Sequence, residues 1–266
     1  LACSKAPEPV PAAPKALVQK TAIDWVKPVG ADIDAIFAQA KAANKPVFLY
    51  WGAVWCPPCN QIKATVFNRP DFVERSKGFI PVYLDGDTPG AQKLGTQFKV
   101  RGYPTTILFK PDGTELTRLP GEVDAVQYMR LLTLGMAATQ PIKETLAAAR
   151  ATPQGGAALS ADAWRMLAYY AWDVDEAQLL AKKDLAPTEA ALARTCPPQQ
   201  AEAAARLTLR AVALAAQDKA SGLDTALALT AVQAVLADAS RSRETADILV
   251  NYANDLVTVL GKQGRS

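Results

Sequence analysis

Trp55-Cys56-Pro57-Pro58-Cys59 sets two thiols three residues apart with only prolines between them. Thiols at this spacing can hold half of a metal site, close a permanent disulfide, or alternate between disulfide and dithiol. Composition narrows the choice. The chain of 266 residues has no histidine and four cysteines, Cys3, Cys56, Cys59 and Cys196. A zinc ribbon needs two CxxC pairs and a zinc finger needs imidazoles, so a four-ligand site would have to recruit carboxylates or the isolated Cys196. No metal and no cofactor is expected. The missing histidine also removes every His-based triad and the commonest general base.

The elements that must hold the pair are legible on either side of it. Ala31 to Ala43 carries Ile33, Ile36, Phe37 and Ala40 at helical spacing, and Asn44-Lys45-Pro46 stops it. PVFLYWG then reads as a strand buried on both faces, ending just before the first cysteine. Phe79 to Leu84 is a second strand, Gly90 to Phe98 a polar helix, and TTILFKP a third strand. Pro111-Asp112-Gly113 turns into a fourth strand, Glu115 to Leu119, and Asp124 to Met136 closes the unit as a helix. Strands alternating with helices make an α/β domain whose functional loops lie at strand carboxyl ends.

A buried strand, WCPPC, a helix, and then RGYPTTILF with a late hairpin and helix resemble the thioredoxin fold over residues 23 to 138. The stretch TVFNRPDFVERSKGF after the cysteine helix is similar to the carboxyl-terminal domain of the DsbD family of membrane reductant conductors. The fold class implied is a thioredoxin-like α/β domain, a central mixed sheet flanked by helices. Cys56 would then cap the helix, with Pro57 and Pro58 in its first turn, where a missing N–H costs nothing. A Cys56 thiolate there meets the positive end of the helix dipole and becomes the attacking sulfur, while Cys59, one turn in, becomes the resolving one. The resemblance makes Pro104 the cis-proline facing the sulfurs, Tyr103 the backbone that pairs with a substrate strand, and Trp55 the flat apolar neighbour. Plain core packing is an equal reading for Trp55. The family's buried acid is replaced by Tyr50 and its second acidic position by Val54, and neither accepts a proton at neutral pH.

The flanks imply an address and a second module. Ala2-Cys3-Ser4 resembles a bacterial lipoprotein junction with Cys3 as the lipidated residue, and SKAPEPVPAAPKA reads as an extended tether. From about Thr139 the chain turns Ala- and Leu-rich, broken by Thr152 to Gly156, Pro197-Pro198 and Ser221-Gly222, which predicts an all-α bundle of roughly five to seven helices. Leu249, Tyr252, Ala253, Leu256 and Leu260 mark one stripe of it. Cys196 is expected as a small buried or capping residue near a helix start. The expected division is an anchor and tether over 1–20, a thioredoxin-like domain over 21–138 and a helical domain over 139–266.

A composition 50% hydrophobic and 21% charged, with net charge +3, fits a globular protein and gives no reason to expect nucleic acid as a partner. No apolar run reaches the roughly 18 residues of a membrane-spanning helix. Together these readings predict an extracytoplasmic, periplasmic, lipid-anchored thiol:disulfide oxidoreductase that acts on disulfide-containing proteins in the reducing or isomerising direction. A membrane electron donor would recharge it. The competing class is a non-catalytic binding or scaffold module whose helical half docks a partner; a binding-only domain needs neither sulfur.

Overall fold

The computed structural model describes residues 22–151, 159–175, 178–218 and 221–261. Cys3, the tether and the Thr152 to Gly156 turn lie outside them. A short 3-10 turn at Val29–Ala31 precedes α1 (Ile33–Ala43), whose first turn is capped by the Asp32 carboxylate accepting from Ala35 N at 3.1 Å. Asn44 ends that helix in the left-handed region, which asparagine tolerates. Next come β1 (Val47–Gly52), α2 (Pro57–Ile62) running into a π-turn at Lys63–Phe67, α3 (Pro70–Ser76), β2 (Ile80–Asp85), α4 (Pro89–Gln97), β3 (Thr105–Phe109), β4 (Glu115–Leu119) and α5 (Ala125–Ala137).

The four strands form one mixed sheet in the order β2-β1-β3-β4. The continuous apolar run of β1 is explained by its place, because it pairs parallel with β2 and antiparallel with β3 and is buried throughout. Side-chain alternation then divides the core. Val47, Leu49 and Trp51 face α1 and α4 along with Ile107 and Phe109, while Phe48, Tyr50 and Leu108 face α2, α3 and α5. The β3–β4 hairpin turns at Gly113, whose φ of 87° only glycine adopts readily. The third strand stops at Phe109 rather than Pro111, since Lys110 N already bonds Thr114 O across the turn.

Beyond α5 the described residues form eight α-helices joined by turns and two short 3-10 segments, Trp172–Val174 and Pro198–Gln200: α6 (Ile142–Ala151), α7 (Ala161–Ala168), α8 (Lys182–Thr195), α9 (Ala201–Gln217), α10 (Thr225–Leu236), α11 (Ala239–Glu244), α12 (Ala246–Asn251) and α13 (Ala253–Leu260). These eight segments exceed the five to seven expected because the last run is broken at Thr245 (φ −120°, ψ 7°) and Tyr252 (φ −110°, ψ 13°). The break at Tyr252 turns Ala253 to solvent, while Leu256 and Leu260 stay buried. Cys196 is buried as expected, but it caps the end of α8 and does not start a helix.

One hydrophobic cluster runs from Phe48 and Tyr50 on the sheet through Tyr128, Leu131 and Leu132 of α5 to Trp164, Leu167, Trp172 and Leu207. Each such side chain contributes about 1.5–3 kcal/mol by burial, so the helical residues stabilise the same sheet face that carries α2. Gly135 permits the close approach of α5, since a Cβ there would meet Leu108 Cδ1 at 2.5 Å. Charges buried at this junction are paired. Glu244 accepts from Arg165 at 2.9 Å and from Gln127 and Tyr169, and Arg206 makes two 2.6 Å bonds to Asp247.

Candidate redox site

The site begins where β1 ends. Gly52 and Ala53 lead into Cys56, which stands at φ −80°, ψ 111° as the N-cap of α2, with Pro57 and Pro58 at its first two positions. The cap is made by sulfur, as Cys59 N donates to Cys56 Sγ at 3.2 Å. Proline suits this turn because the first helical N–H groups have no intrahelical acceptor. Cys56 and Cys59 are joined as a disulfide, with Cα atoms 5.2 Å apart. Cys56 is 3% exposed and Cys59 fully buried, so Cys56 carries the outer sulfur of the pair.

Ala53, Cys56 and Cys59 form their own small apolar cluster, and the ring of Tyr103 packs against it. The Tyr103–Pro104 peptide bond is cis, as the resemblance implies. Tyr103 is held by its hydroxyl, which donates to Gly86 O at 3.0 Å in the loop after β2. Gly86 leaves room for the ring: a Cβ there would lie 2.2 Å from Tyr103 Cζ. Gly121 does the same for Pro104, whose Cγ would be 2.8 Å from an added Cβ.

Trp55 is 63% exposed, so the core-packing reading does not hold for it. Its ring lies edge-on to Tyr103 at 6.4 Å between centroids, and Nε1 donates to Asp87 Oδ2 at 2.8 Å. Asp87 was not singled out by sequence; it lies 32 residues downstream, and only the β1–β2 pairing brings its loop to the cysteine loop. Val54 is exposed. Tyr50 is fully buried on the α2 face of the sheet, stacked on Tyr83 at 5.8 Å and edge-on to Phe67 at 4.9 Å. Burial pushes its phenol well above the ordinary range, and Tyr83 adds to the effect.

The fourth cysteine takes no part here. Burial pushes the Cys196 thiol up to about 11, and its Sγ lies 3.7 Å from Gln200 O. Among the described residues, no group of three or more Cys, Asp or Glu could hold a metal ion, and no helix is long and apolar enough to cross a membrane.

Residues 33–134 match the family model of the thioredoxin-like domain, and the mixed sheet order and the Cys56–Cys59 disulfide of this part of the chain agree with that match. Among curated proteins, the chain is similar to thiol:disulfide interchange protein DsbD 2 of Pseudomonas aeruginosa, at 34% identity over 103 residues, covering 37% of this chain and 18% of that protein. DsbD of Klebsiella pneumoniae is 31% identical over 102 residues, covering 37% and 17%. The chain therefore spans less than a fifth of the length of these relatives. Among solved structures, the oxidised carboxyl-terminal domain of Neisseria meningitidis DsbD aligns with a TM-score of 0.34 at 25% identity, over 39% of this chain and 96% of that one.

Proposed function

We propose that this protein is a thiol:disulfide oxidoreductase that exchanges disulfides with protein substrates through Cys56 and Cys59. The observation that carries the reading is the placement of the Cys56 sulfur at the N-terminus of α2, bonded to the buried Cys59 that can displace whatever attaches to it. On reduction, the α2 dipole and the Cys59 N–H both favour a Cys56 thiolate, which is the form that attacks. It opens a substrate disulfide, bonds to one sulfur and releases the other. Cys59 then attacks Cys56, expelling the second substrate sulfur and restoring the disulfide seen here. Trp55, Tyr103 and Pro104 form the surface against which a substrate strand lies, and the motif prolines Pro57 and Pro58 fix the turn between the sulfurs.

The direction proposed is reducing or isomerising. Neither proline offers a charge or an N–H to hold a thiolate further, so the pair should sit nearer the thioredoxin potential of ~−270 mV than the ~−120 mV of the strongest oxidants. Such a protein needs a donor, and a membrane thiol donor outside the cytoplasm fits the likeness to DsbD proteins. Residues 21–138 are the proposed redox domain and 139–266 the helical one. Cys3, followed by a Pro/Ala-rich tether, is the proposed point of lipid attachment in the periplasm.

Insulin precipitation in dithiothreitol tests the activity, with acceleration expected for the wild type and none for Cys56→Ser. A Cys59→Ala variant should retain substrates covalently on Cys56. A wild type that leaves insulin intact and a variant that traps nothing would together refute the reading.

A further inference from the structure

Arg118 is fully buried on β4, and a charge taken out of water needs a full set of partners. Its guanidinium finds them in three places. Glu115 on the same strand accepts from Nε at 2.8 Å and from Nη2 at 3.3 Å. Two main-chain carbonyls come next, Phe98 O accepting from Nη2 at 2.6 Å and Lys99 O from Nη1 at 3.4 Å. The helical half supplies the third set: Gln178 Oε1 accepts from Nη2 at 2.5 Å, and Asp175 Oδ1 lies 4.0 Å from Nη1. Glu115 alone would neutralise the charge, so the carbonyls and Gln178 are what the planar fork adds.

The two carbonyls belong to a turn of uncommon conformation. Phe98 ends α4, and Val100 N donates back to Gly95 O at 2.7 Å while Lys99 N donates to Thr96 O at 3.2 Å. That pattern needs a left-handed residue just past the helix end, where glycine usually stands, and Lys99 takes the position at φ 52°. A non-glycine residue keeps such a conformation only where its surroundings hold it. Arg118 holds the Lys99 carbonyl, and Asp175 pairs with Val100 as an isolated antiparallel bridge. Only Arg101 and Gly102 then separate this turn from Tyr103 and Pro104. Gly102 O is itself fixed by the Thr105 hydroxyl at 2.6 Å, so the path into Tyr103–Pro104 is set where it leaves Val100.

We propose that Arg118 is a positioning residue for protein substrates: with Asp175 and Gln178 it ties the Phe98–Val100 turn to the helical half and so fixes the Tyr103–Pro104 surface against which a substrate strand lies. The inference rests on the exchange reaction proposed above and gives the helical half a part in it. Main chain strengthens the link. Ala171 N donates to Arg118 O at 3.2 Å, and the Asp175 carboxylate accepts from Gln178 N at 2.9 Å and Leu179 N at 3.1 Å, which keeps Asp175 and Gln178 together beside the guanidinium. A polypeptide pairs with the Tyr103 main chain, so a shift of that backbone weakens its docking. A small disulfide needs only the sulfurs.

Two variants loosen the turn while leaving a cation beside Glu115. Arg118→Lys cannot reach both carbonyls and Gln178 at once, and Gln178→Ala removes the acceptor that the helical half provides. With the reduced protein, the rate constant for insulin should fall about tenfold in Arg118→Lys and about threefold in Gln178→Ala, whereas that for hydroxyethyl disulfide should change less than about twofold. The equilibrium with glutathione should stay as in the wild type, and amide hydrogen exchange in the peptide covering residues 98–104 should quicken. Equal losses with insulin and the small disulfide, or a lower melting temperature with insulin rates intact, would mean that Arg118 only holds the fold together and would overturn the proposal. Should Arg118→Lys fail to fold, Gln178→Ala decides by the same comparison, since Gln178 is only partly buried. A wild type that reduces neither insulin nor hydroxyethyl disulfide overturns the exchange reaction and this assignment together, whereas a wild type that reduces both, with variants that match it, removes the assignment alone.

Discussion

The indole N–H of Trp55 donates to Asp87 across 2.8 Å, tying the exposed ring before the first cysteine to the loop that follows β2. That loop also accepts the Tyr103 hydroxyl at Gly86, so Trp55 and Tyr103 are fastened to two adjacent residues, Gly86 and Asp87. Two aromatic side chains from distant parts of the chain thereby form one surface beside the disulfide.

The first prediction separates this surface from the sulfur chemistry. Trp55 is mostly exposed and caps no core, so Trp55→Ala should leave stability within about 0.5 kcal/mol. Loss of a large aromatic contact at the edge of a binding site should slow exchange with a protein substrate about tenfold, since buried Trp anchors commonly contribute more than ~1.4 kcal/mol. Reduction by dithiothreitol, which needs no such contact, should change less than about twofold. Equal losses with insulin and dithiothreitol would show that Trp55 acts on the sulfurs directly.

Gly86 makes a sharper test of the loop. An alanine Cβ would fall 2.2 Å from the Tyr103 ring, which is held on its far side by the cysteine cluster. Gly86→Ala should therefore destabilise by roughly 1–3 kcal/mol, the usual cost of overpacking, and should weaken exchange with insulin. In a Tyr103→Ala background the three closest contacts are gone and the same change should cost less. Thermal melts of the four proteins measure the coupling, and additive losses would place the strain elsewhere.

What was legible in the sequence was what neighbours in the chain decide. Cys56 as N-cap, prolines behind it and the Asp112-Gly113 hairpin follow from local backbone rules, and the structure has all three. The unbroken apolar run of β1 announced a central strand for the same reason. Asp87 was invisible because it depends on the parallel β1–β2 register, which aligns Gly52 with Asp85 and brings the next loop to Trp55. The breaks at Thr245 and Tyr252 were hidden too, since their helical stripe reads continuously. Nor did composition reveal that arginines of α9 lie inside: Arg206 and Arg210 are 3% and 4% exposed because Asp247, Glu189 and Asp173 meet them from other helices.

The Glu244 cluster carries a pH prediction. Burial alone would raise the Glu244 carboxyl, but bonds from Tyr169, Arg165 and Gln127 more than offset it, leaving it below the ordinary carboxylate range. A depressed carboxylate contributes stability above its unfolded pKa of ~4.3 and loses it as pH falls through the lower folded value. Glu189 runs the other way. Burial raises it despite Arg210, so its contribution improves as it protonates. Glu189 is present in both the wild type and Glu244→Gln, so the difference between the two isolates Glu244. The variant should be less stable at pH 7 and the gap should close below about pH 4, measured by urea unfolding across pH. A gap that is constant down to pH 2 would mean the loss is steric.

The four cysteines should separate cleanly by reactivity. Only thiolates alkylate, so rate follows acidity and access together. Cys196 is buried with its thiol pushed up to about 11, and at pH 8 its thiolate fraction is then on the order of a thousandth. Cys56 has the α2 dipole and the Cys59 N–H to lower it and is the outer sulfur of the pair, while Cys59 is fully buried. In a Cys3→Ser background, which removes the thiol outside the described residues, the reduced protein should therefore take up iodoacetamide at Cys56 first and Cys59 later, with Cys196 labelled only in denaturant. Lowering the pH to about 6 should slow Cys59 more than Cys56, because a thiolate stabilised at a helix N-terminus survives further into acid than a buried thiol does. Peptide mass spectrometry at timed quenches reads all three sites in one experiment. Labelling of Cys59 ahead of Cys56 would reverse the attacking and resolving roles, and fast labelling of Cys196 in the folded protein would mean that the α8–α9 junction opens on the timescale of the assay.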